Sequence, residues 1–268
     1  MKKIKLIATD IDGTILKSDF KFNKAVKDCI KLLCDDDIKV CLVTGRMHSA
    51  AVYVAEELQL TTPIVSYQGG LVRDGERTLY EKHLNPQKAK EIIKWAKQND
   101  IHLNLYMNDE LYVEKDNATV RRYTGERHTG YIVKSFEELE LNRINKMLAV
   151  NFENTEKVTE WKEYLAKKYD GIEVVKSMPY FCEICHPEAT KYHAVEFLRK
   201  QWGFESREVM TIGDQDNDIN LLKAGGVKVA MGNATETLKS VADYVTDTVN
   251  NDGFVKAVER FVYDRIEL

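Results

Sequence analysis

The sequence predicts an α/β protein built on a parallel sheet, with a second α+β unit inserted into it. Three observations predict this. Short apolar runs alternate with amphipathic helical stretches in the first and last thirds of the chain, the pattern of strands joined by helical crossovers. Three of those runs end in turns carrying chemistry, at Asp10–Gly13, Thr44–Arg46 and Gly213–Asp218, where open α/β sheets hold their ligands. From about residue 83 to about residue 187 the texture changes, and strands outnumber helices. The expected organisation is a discontinuous core, 1–82 and 188–268, around an inserted domain, 83–187. A length of 268 residues accommodates both.

The elements follow in order. Ile4, Leu6, Ile7 and Ala8 form a buried strand, with Asp10 at its carboxyl end and Asp12 and Gly13 in the turn after it. Val26, Ile30, Leu33 and Cys34 recur at helical spacing, with Asn23 placed to cap that helix. Val40–Val43 is a second buried strand, His48–Leu58 a helix, and Ile64–Ser66 a third strand. Asp74-Gly75 turns a hairpin between Leu71-Val72 and Leu79-Tyr80. Within the insertion, Pro86 opens a helix through Trp95. Strands at 101–106 and 110–113 pair, and the charged stretch 114–138 is a short helix and loop. A strand at 144–151, a helix presenting Val158, Trp161 and Leu165, and strands at 172–175 and 180–184 complete an α+β layer packed on one side of a small sheet. The core resumes with a helix at 192–201, strands at 209–212, 227–230 and 244–245, and helices at 219–223, 236–240 and 254–262.

Hydrophobic residues make up 44% of the chain and the formal net charge is -4, an ordinary globular balance that requires neither nucleic acid nor an anionic membrane as partner. No apolar run approaches membrane-spanning length, and no signal-peptide core is evident. The five cysteines form no framework. Cys182-Glu-Ile-Cys185 falls in a strand and lacks a second pair for zinc or a helix start for redox chemistry. Reduced thiols and a cytoplasmic protein are expected.

Asp10 and Asp12 are two residues apart on an extended segment and can face one pocket. Asp214, Asp216, Asn217 and Asp218 crowd a second strand end. Carboxylates this dense need water or a cation. Oxygen ligands without cysteine or histidine suit Mg²⁺, and a solvated acidic loop is the other reading. The loop lacks the glycine and terminal glutamate of an EF-hand.

DIDGT at 10–14 resembles the nucleophile motif of the haloacid dehalogenase-like phosphatases, and VCLVTGR at 40–46, Lys191 and GDQDND at 213–218 are similar to the three motifs that follow it. An insertion between the second and third motifs resembles the C2 cap. VAMGNA at 229–234, ADYVT at 242–246 and Asn251-Asp252-Gly253 are similar to the Cof-type branch. The resemblance implies a Rossmann-like core with an inserted α+β cap domain, and it distributes roles. Asp10 is then the nucleophile and Asp12 the general acid/base; Thr44, Gly45, Lys191 and Asn217 bind phosphate; Asp10, Asp12, Asp214 and Asp218 serve the Mg²⁺ site. Taken alone, Thr44 also reads as the start of a helix and Lys191 as a surface residue.

The implied activity is Mg²⁺-dependent hydrolysis of small phosphate monoesters, sugar phosphates first and pyridoxal phosphate or flavin mononucleotide after them, through an aspartyl-phosphate. A phosphomutase and a non-catalytic phosphometabolite-binding protein are the alternatives. The partner is a small phosphorylated metabolite, and the state a monomer or homodimer. Two positions depart from the branch: Gln68 stands where an asparagine is usual, and Tyr192 where glycine usually follows the lysine. Leaving-group recognition is expected from the cap, with Gln68, Arg121, Arg122, Lys115 and His128 as candidates and His186 near the second hinge.

Overall fold

The structure, a computed structural model, describes residues 3–17, 21–127 and 129–263. The chain enters the core through β1 (Leu6–Thr9), α1 (Lys24–Asp35), β2 (Lys39–Leu42), α2 (His48–Glu57), β3 (Ile64–Ser66), β4 (Leu71–Asp74) and β5 (Arg77–Glu81). It continues through α3 (Pro86–Gln98), β6 (His102–Met107), β7 (Glu110–Val113), α4 (Ala118–Arg127), β8 (Ile132–Val133), β9 (Ile144–Val150), α5 (Thr155–Lys168), β10 (Glu173–Met178) and β11 (Phe181–Cys185). It returns as α6 (Lys191–Gln201), β12 (Val209–Gly213), α7 (Ile219–Ala224), β13 (Val227–Ala230), α8 (Glu236–Val241), β14 (Tyr244–Val245) and α9 (Gly253–Phe261).

The core sheet has the order β14-β13-β12-β1-β2 and is parallel throughout. β1 therefore lies between a strand from the end of the chain and one from the beginning. It registers Thr9 with Ile212 on one side and with Leu42 on the other. Both faces are covered, which is why these strands read as continuous apolar runs rather than alternating ones. Ile7 packs into one apolar cluster with Ile30, Met210 and Phe254, and Leu6 and Ala8 into another with Val195 and Leu221. Asn23 occupies the position before α1, but its side chain donates to Asp252 instead of accepting from the helix.

β3 continues the parallel arrangement through a single bridge, Val43 to Val65. Its main pairing is antiparallel, in the small sheet β3-β4-β5. The hairpin read from Asp74-Gly75 joins β4 to β5, and β4 in turn pairs with β3.

The insertion builds a mixed sheet, β10-β11-β9-β6-β7-β8. Leu103, Leu105, Met147, Ala149 and Cys182 pack on one face against Ile92 of α3 and Val158 and Leu165 of α5. The alternate residues Tyr106, Leu148 and Phe181 pack on the other face with Val120 and Tyr123 of α4 and with Met47, Tyr67 and Leu71 of the core. Helices therefore lie on both faces, where the sequence led us to expect one. α4 has too few apolar residues to signal its buried side, and β8 is a two-residue edge. The Cys182–Cys185 pair is buried in β11, where burial pushes the Cys182 thiol up to about 12, too high for an easily formed thiolate. No helix among the described residues is long and apolar enough to cross a membrane.

Candidate active site

The strand order explains why distant residues meet. β12, β1 and β2 are neighbours and parallel, so their carboxyl ends deliver Asp214, Asp10 and Thr44 side by side. Asp10, Asp214 and Asp218 are buried, with one oxygen of each within 4.8 Å of the others. Lys191, 1% exposed, donates from Nζ to Asp10 Oδ1 and to Asp218 Oδ1, each at 2.6 Å. It sits in the first turn of α6, held there because Thr190 Oγ1 accepts from His193 N at 3.2 Å.

The local turns require their glycines. At Gly13 φ is +81° and a Cβ would lie 2.3 Å from Asp214 Oδ2, so only glycine lets the first turn lie on the late acidic loop. A Cβ on Gly45 would lie 2.3 Å from Gln68 Nε2. Thr14 Oγ1 and Gln215 Nε2 donate to Asp214 at 3.1 and 2.9 Å. Asp218 Oδ2 accepts the backbone N–H groups of Asp214 and Gln215 at 2.9 and 3.1 Å. With Lys191 on its other oxygen, Asp218 is the most committed of the three carboxylates.

Electrostatics follow from that crowding. Burial, then the charge of Asp218, pushes the Asp214 carboxyl up to about 7. Burial raises Asp10 well above its ordinary value, with Lys191 opposing and the neighbouring carboxylates adding to the shift. Three carboxylates face one ammonium. The remaining negative charge, on hard oxygen donors within 4.8 Å of one another, fits a divalent cation such as Mg²⁺.

Asp12 stands apart from this cluster. Its carboxylate is gripped by Arg46, Nε to Oδ2 at 2.8 Å and a terminal nitrogen to Oδ1 at 2.6 Å. Its carboxylate is outside the group of three whose oxygens converge, and it faces the guanidinium instead. Thr44 and Gly45 line the cavity, and Thr44 Oγ1 accepts from Arg46 N at 3.1 Å. Asn217 Nδ2 donates to Gln68 Oε1 at 3.0 Å, and its Oδ1 is buried with no hydrogen-bond partner among the described residues. Gln68 has φ +61° and passes the connection on, Nε2 to Glu183 Oε1 at 2.9 Å. Gly69 has φ +101° and packs against Thr190 and Lys191, so close approach to the lysine comes from this side rather than from a glycine at 192.

Three residues outside the sequence expectations complete the site. Lys146, on β9, donates to Glu183 Oε2 and to the Gly45 carbonyl, both at 2.6 Å. Lys146 and Glu183 are nearly fully buried, Glu183 interrupting an otherwise apolar strand and Lys146, beside Asn145, one that is mostly apolar. That interruption was the signal to be read, since such residues are rarely buried unless paired. Arg46 was visible inside the second motif but carried no role.

A cavity of about 950 Å³ opens above these groups between core and cap, lined by Asp10, Asp12, Gln68, Tyr123, Lys146 and Asn217 among others. Arg121 and Arg122 are not at it. Arg121 is exposed and forked onto Asp116, and Arg122 stacks 4.1 Å over the Phe152 ring. Lys115 and His186 do not line it either. His128 lies outside the described residues.

Comparison with known proteins agrees with this geometry. Residues 7–258 match the family described as haloacid dehalogenase-like hydrolase. Phosphatase YwpJ of Bacillus subtilis is 28% identical, the match covering 93% of this chain and 97% of that one. The 5-amino-6-(5-phospho-D-ribitylamino)uracil phosphatase YitU of the same organism is 26% identical over 96% and 97%. The solved structure of the subclass IIB sugar phosphatase BT4131 superposes with a TM-score of 0.87 at 25% identity, covering 96% of this chain and 98% of that one. The chain belongs to the haloacid dehalogenase-like hydrolase family.

Proposed function

We propose that the protein hydrolyses small phosphorylated metabolites, sugar phosphates foremost, with Mg²⁺ and through an aspartyl-phosphate on Asp10. The observation that carries this reading is the buried Asp10–Asp214–Asp218 cluster, with Lys191 donating to Asp10 and Asp218 and with Asp10 lining the cavity. Asp10, Asp214 and, more remotely, Asp218 would hold Mg²⁺, which when bound offsets the repulsion between a phosphate dianion and a carboxylate.

The chain's own residues do the rest. Asp10 attacks phosphorus, and a covalent intermediate divides the hydrolysis into two easier steps. Lys191 balances charge on Asp10 as the phosphoryl group arrives. The Thr44 hydroxyl and the backbone at Gly45 hold phosphoryl oxygens. Asp12 gives a proton to the leaving oxygen and then takes one from water, with Arg46 aiming its carboxylate. The buried, unpartnered Oδ1 of Asn217 supplies an acceptor for a ligand donor. A phosphorylated polyol as substrate is supported by two of the relatives, one a sugar phosphatase and one acting on a phosphoribityl compound.

The test is a phosphate-release screen over sugar phosphates, pyridoxal phosphate and flavin mononucleotide with Mg²⁺, an EDTA control, and Asp10→Asn alongside. Release that EDTA stops and that Asp10→Asn loses, with its circular dichroism unchanged, is the expected result. Isomerisation without phosphate release would identify a mutase. No release on any substrate would leave a binding protein. Substantial turnover by Asp10→Asn would remove Asp10 as nucleophile.

A further inference from the structure

α2 follows the Thr44-Gly45-Arg46 segment and has no capping side chain of its own for its first N–H groups. Met47 occupies the preceding position and offers no side-chain acceptor. The acceptor comes from the cap domain. Asp109, in the two-residue turn between β6 and β7, takes the Ser49 N–H on its carboxylate at 3.1 and 3.3 Å. The same carboxylate accepts from the Tyr67 hydroxyl at 2.6 Å.

Asn108 and Asp109 have φ of +55° and +59°, the left-handed pair that this turn type demands. Glycine is the easiest residue at the second position, yet an aspartate stands there and reaches the core. Tyr67 is fully buried, and burial together with the charge of Asp109 raises its hydroxyl well above the ordinary range, so it remains a donor.

Tyr67 also joins this contact to the phosphate-binding segment. Its N–H donates to the Arg46 carbonyl at 2.9 Å, and the next N–H, of Gln68, donates to the Thr44 carbonyl at 3.1 Å. Lys146 holds the Gly45 carbonyl from the cap side. Residues 44–49 are therefore gripped by the cap at two points, Gly45 and Ser49, with Tyr67 bracing the span between them.

We propose that Asp109 is a positioning residue for phosphoryl transfer: seated on Ser49 and Tyr67, it makes the phosphate-binding form of residues 44–49 depend on the cap being in place. This rests on the reading of Thr44 and Gly45 as phosphate ligands. Asp109 touches neither the acidic cluster nor Lys191, so its effect passes through the main chain.

The experiment compares wild type with Asp109→Ala, Asp109→Asn and Tyr67→Phe, measuring kcat/KM on p-nitrophenyl phosphate and the Kd for inorganic phosphate with Mg²⁺. Asp109→Ala is expected to lower kcat/KM and weaken phosphate binding by about five- to tenfold each, the scale of a lost helix-end acceptor. Asp109→Asn should stay within about twofold of wild type, because its amide oxygen still accepts from Ser49. Tyr67→Phe should shift both constants in the same direction and add little to Asp109→Ala. Hydrogen exchange at Ser49 should quicken in Asp109→Ala.

Wild-type constants in Asp109→Ala with quickened exchange would overturn the proposal, since the contact would then be lost without consequence. If Asp109→Ala does not fold, Tyr67→Phe decides alone, and wild-type constants there are equally fatal. Asp10→Asn run beside them separates the two readings: turnover retained in that variant removes the site assignment, not the role of Asp109.

Discussion

Asp12 and Arg46 show how a single pairing sets a residue's chemistry. The guanidinium grips both carboxylate oxygens and so fixes where the carboxylate points. Arg46→Met is therefore expected to cost about tenfold or more in kcat/KM near neutrality, because Asp12 loses its aim. An unchanged kcat/KM in that variant would separate Arg46 from acid–base chemistry. At this scale the sequence was legible where chemistry sits in contiguous strand-end motifs, as at Asp10, Thr44 and Asp214. It was not legible for Glu183 and Lys146, whose meaning depends on strand pairing that brings residues 37 apart into contact. For Arg121 and Arg122 the sequence was silent for a related reason: positive charge in a cap reads the same whether it faces a cleft or its own surface, and only the structure shows them against Asp116 and the Phe152 ring.

Among the elements, the turn at Tyr67–Gly69 is under a tight backbone constraint. Tyr67 and Gln68 both have left-handed φ, and a Cβ on Gly69 would lie 2.2 Å from the Thr190 carbonyl oxygen, just before Lys191 in α6. Gly69→Ala combines an unfavourable φ with a clash against backbone, and is expected to cost about 2–4 kcal/mol in urea unfolding. Gly125 of α4 has open space where an alanine methyl would sit, with nothing within 4 Å. Gly125→Ala should stabilise by roughly 0.5–1 kcal/mol, because alanine restricts the unfolded chain and favours the helix. Equal effects of the two substitutions would mean that the Gly69 contact does not constrain the fold. The elements themselves were legible from periodicity in the core, where buried strands and amphipathic helices contrast sharply. Two features escaped. α4 buries little more than Val120 and Tyr123, too few residues to reveal its side, and β3 divides its pairing between one parallel bridge and an antiparallel partner.

Over the whole molecule, the acidic cluster ties the two ends of the chain together, Asp10 to Asp214 and Asp218. Stability should therefore depend on pH and on metal in a linked way. Burial and the adjacent carboxylates raise Asp214 from 3.8 to about 7 and raise Asp10 in the same direction. A carboxyl with a raised folded-state value binds its proton more tightly in the folded chain than in the unfolded one. Its contribution to stability is complete below the unfolded value and is lost as pH rises through the folded one. The metal-free protein should accordingly weaken between about pH 4 and about pH 7. Mg²⁺ needs these groups ionised and competes with the protons, so its stabilising effect should grow over the same interval. At a hundredfold excess over its Kd, a bound ion adds about 2.7 kcal/mol, which for a chain of this size is roughly 5–10 °C in Tm. Melting with Mg²⁺ and with EDTA at about pH 5 and about pH 8 should show that gain mainly at the higher pH. A gain of equal size at both, or none at either, would mean that the early and late carboxylates do not share an ion, and the phosphatase chemistry assigned to them would have to be rebuilt on other residues.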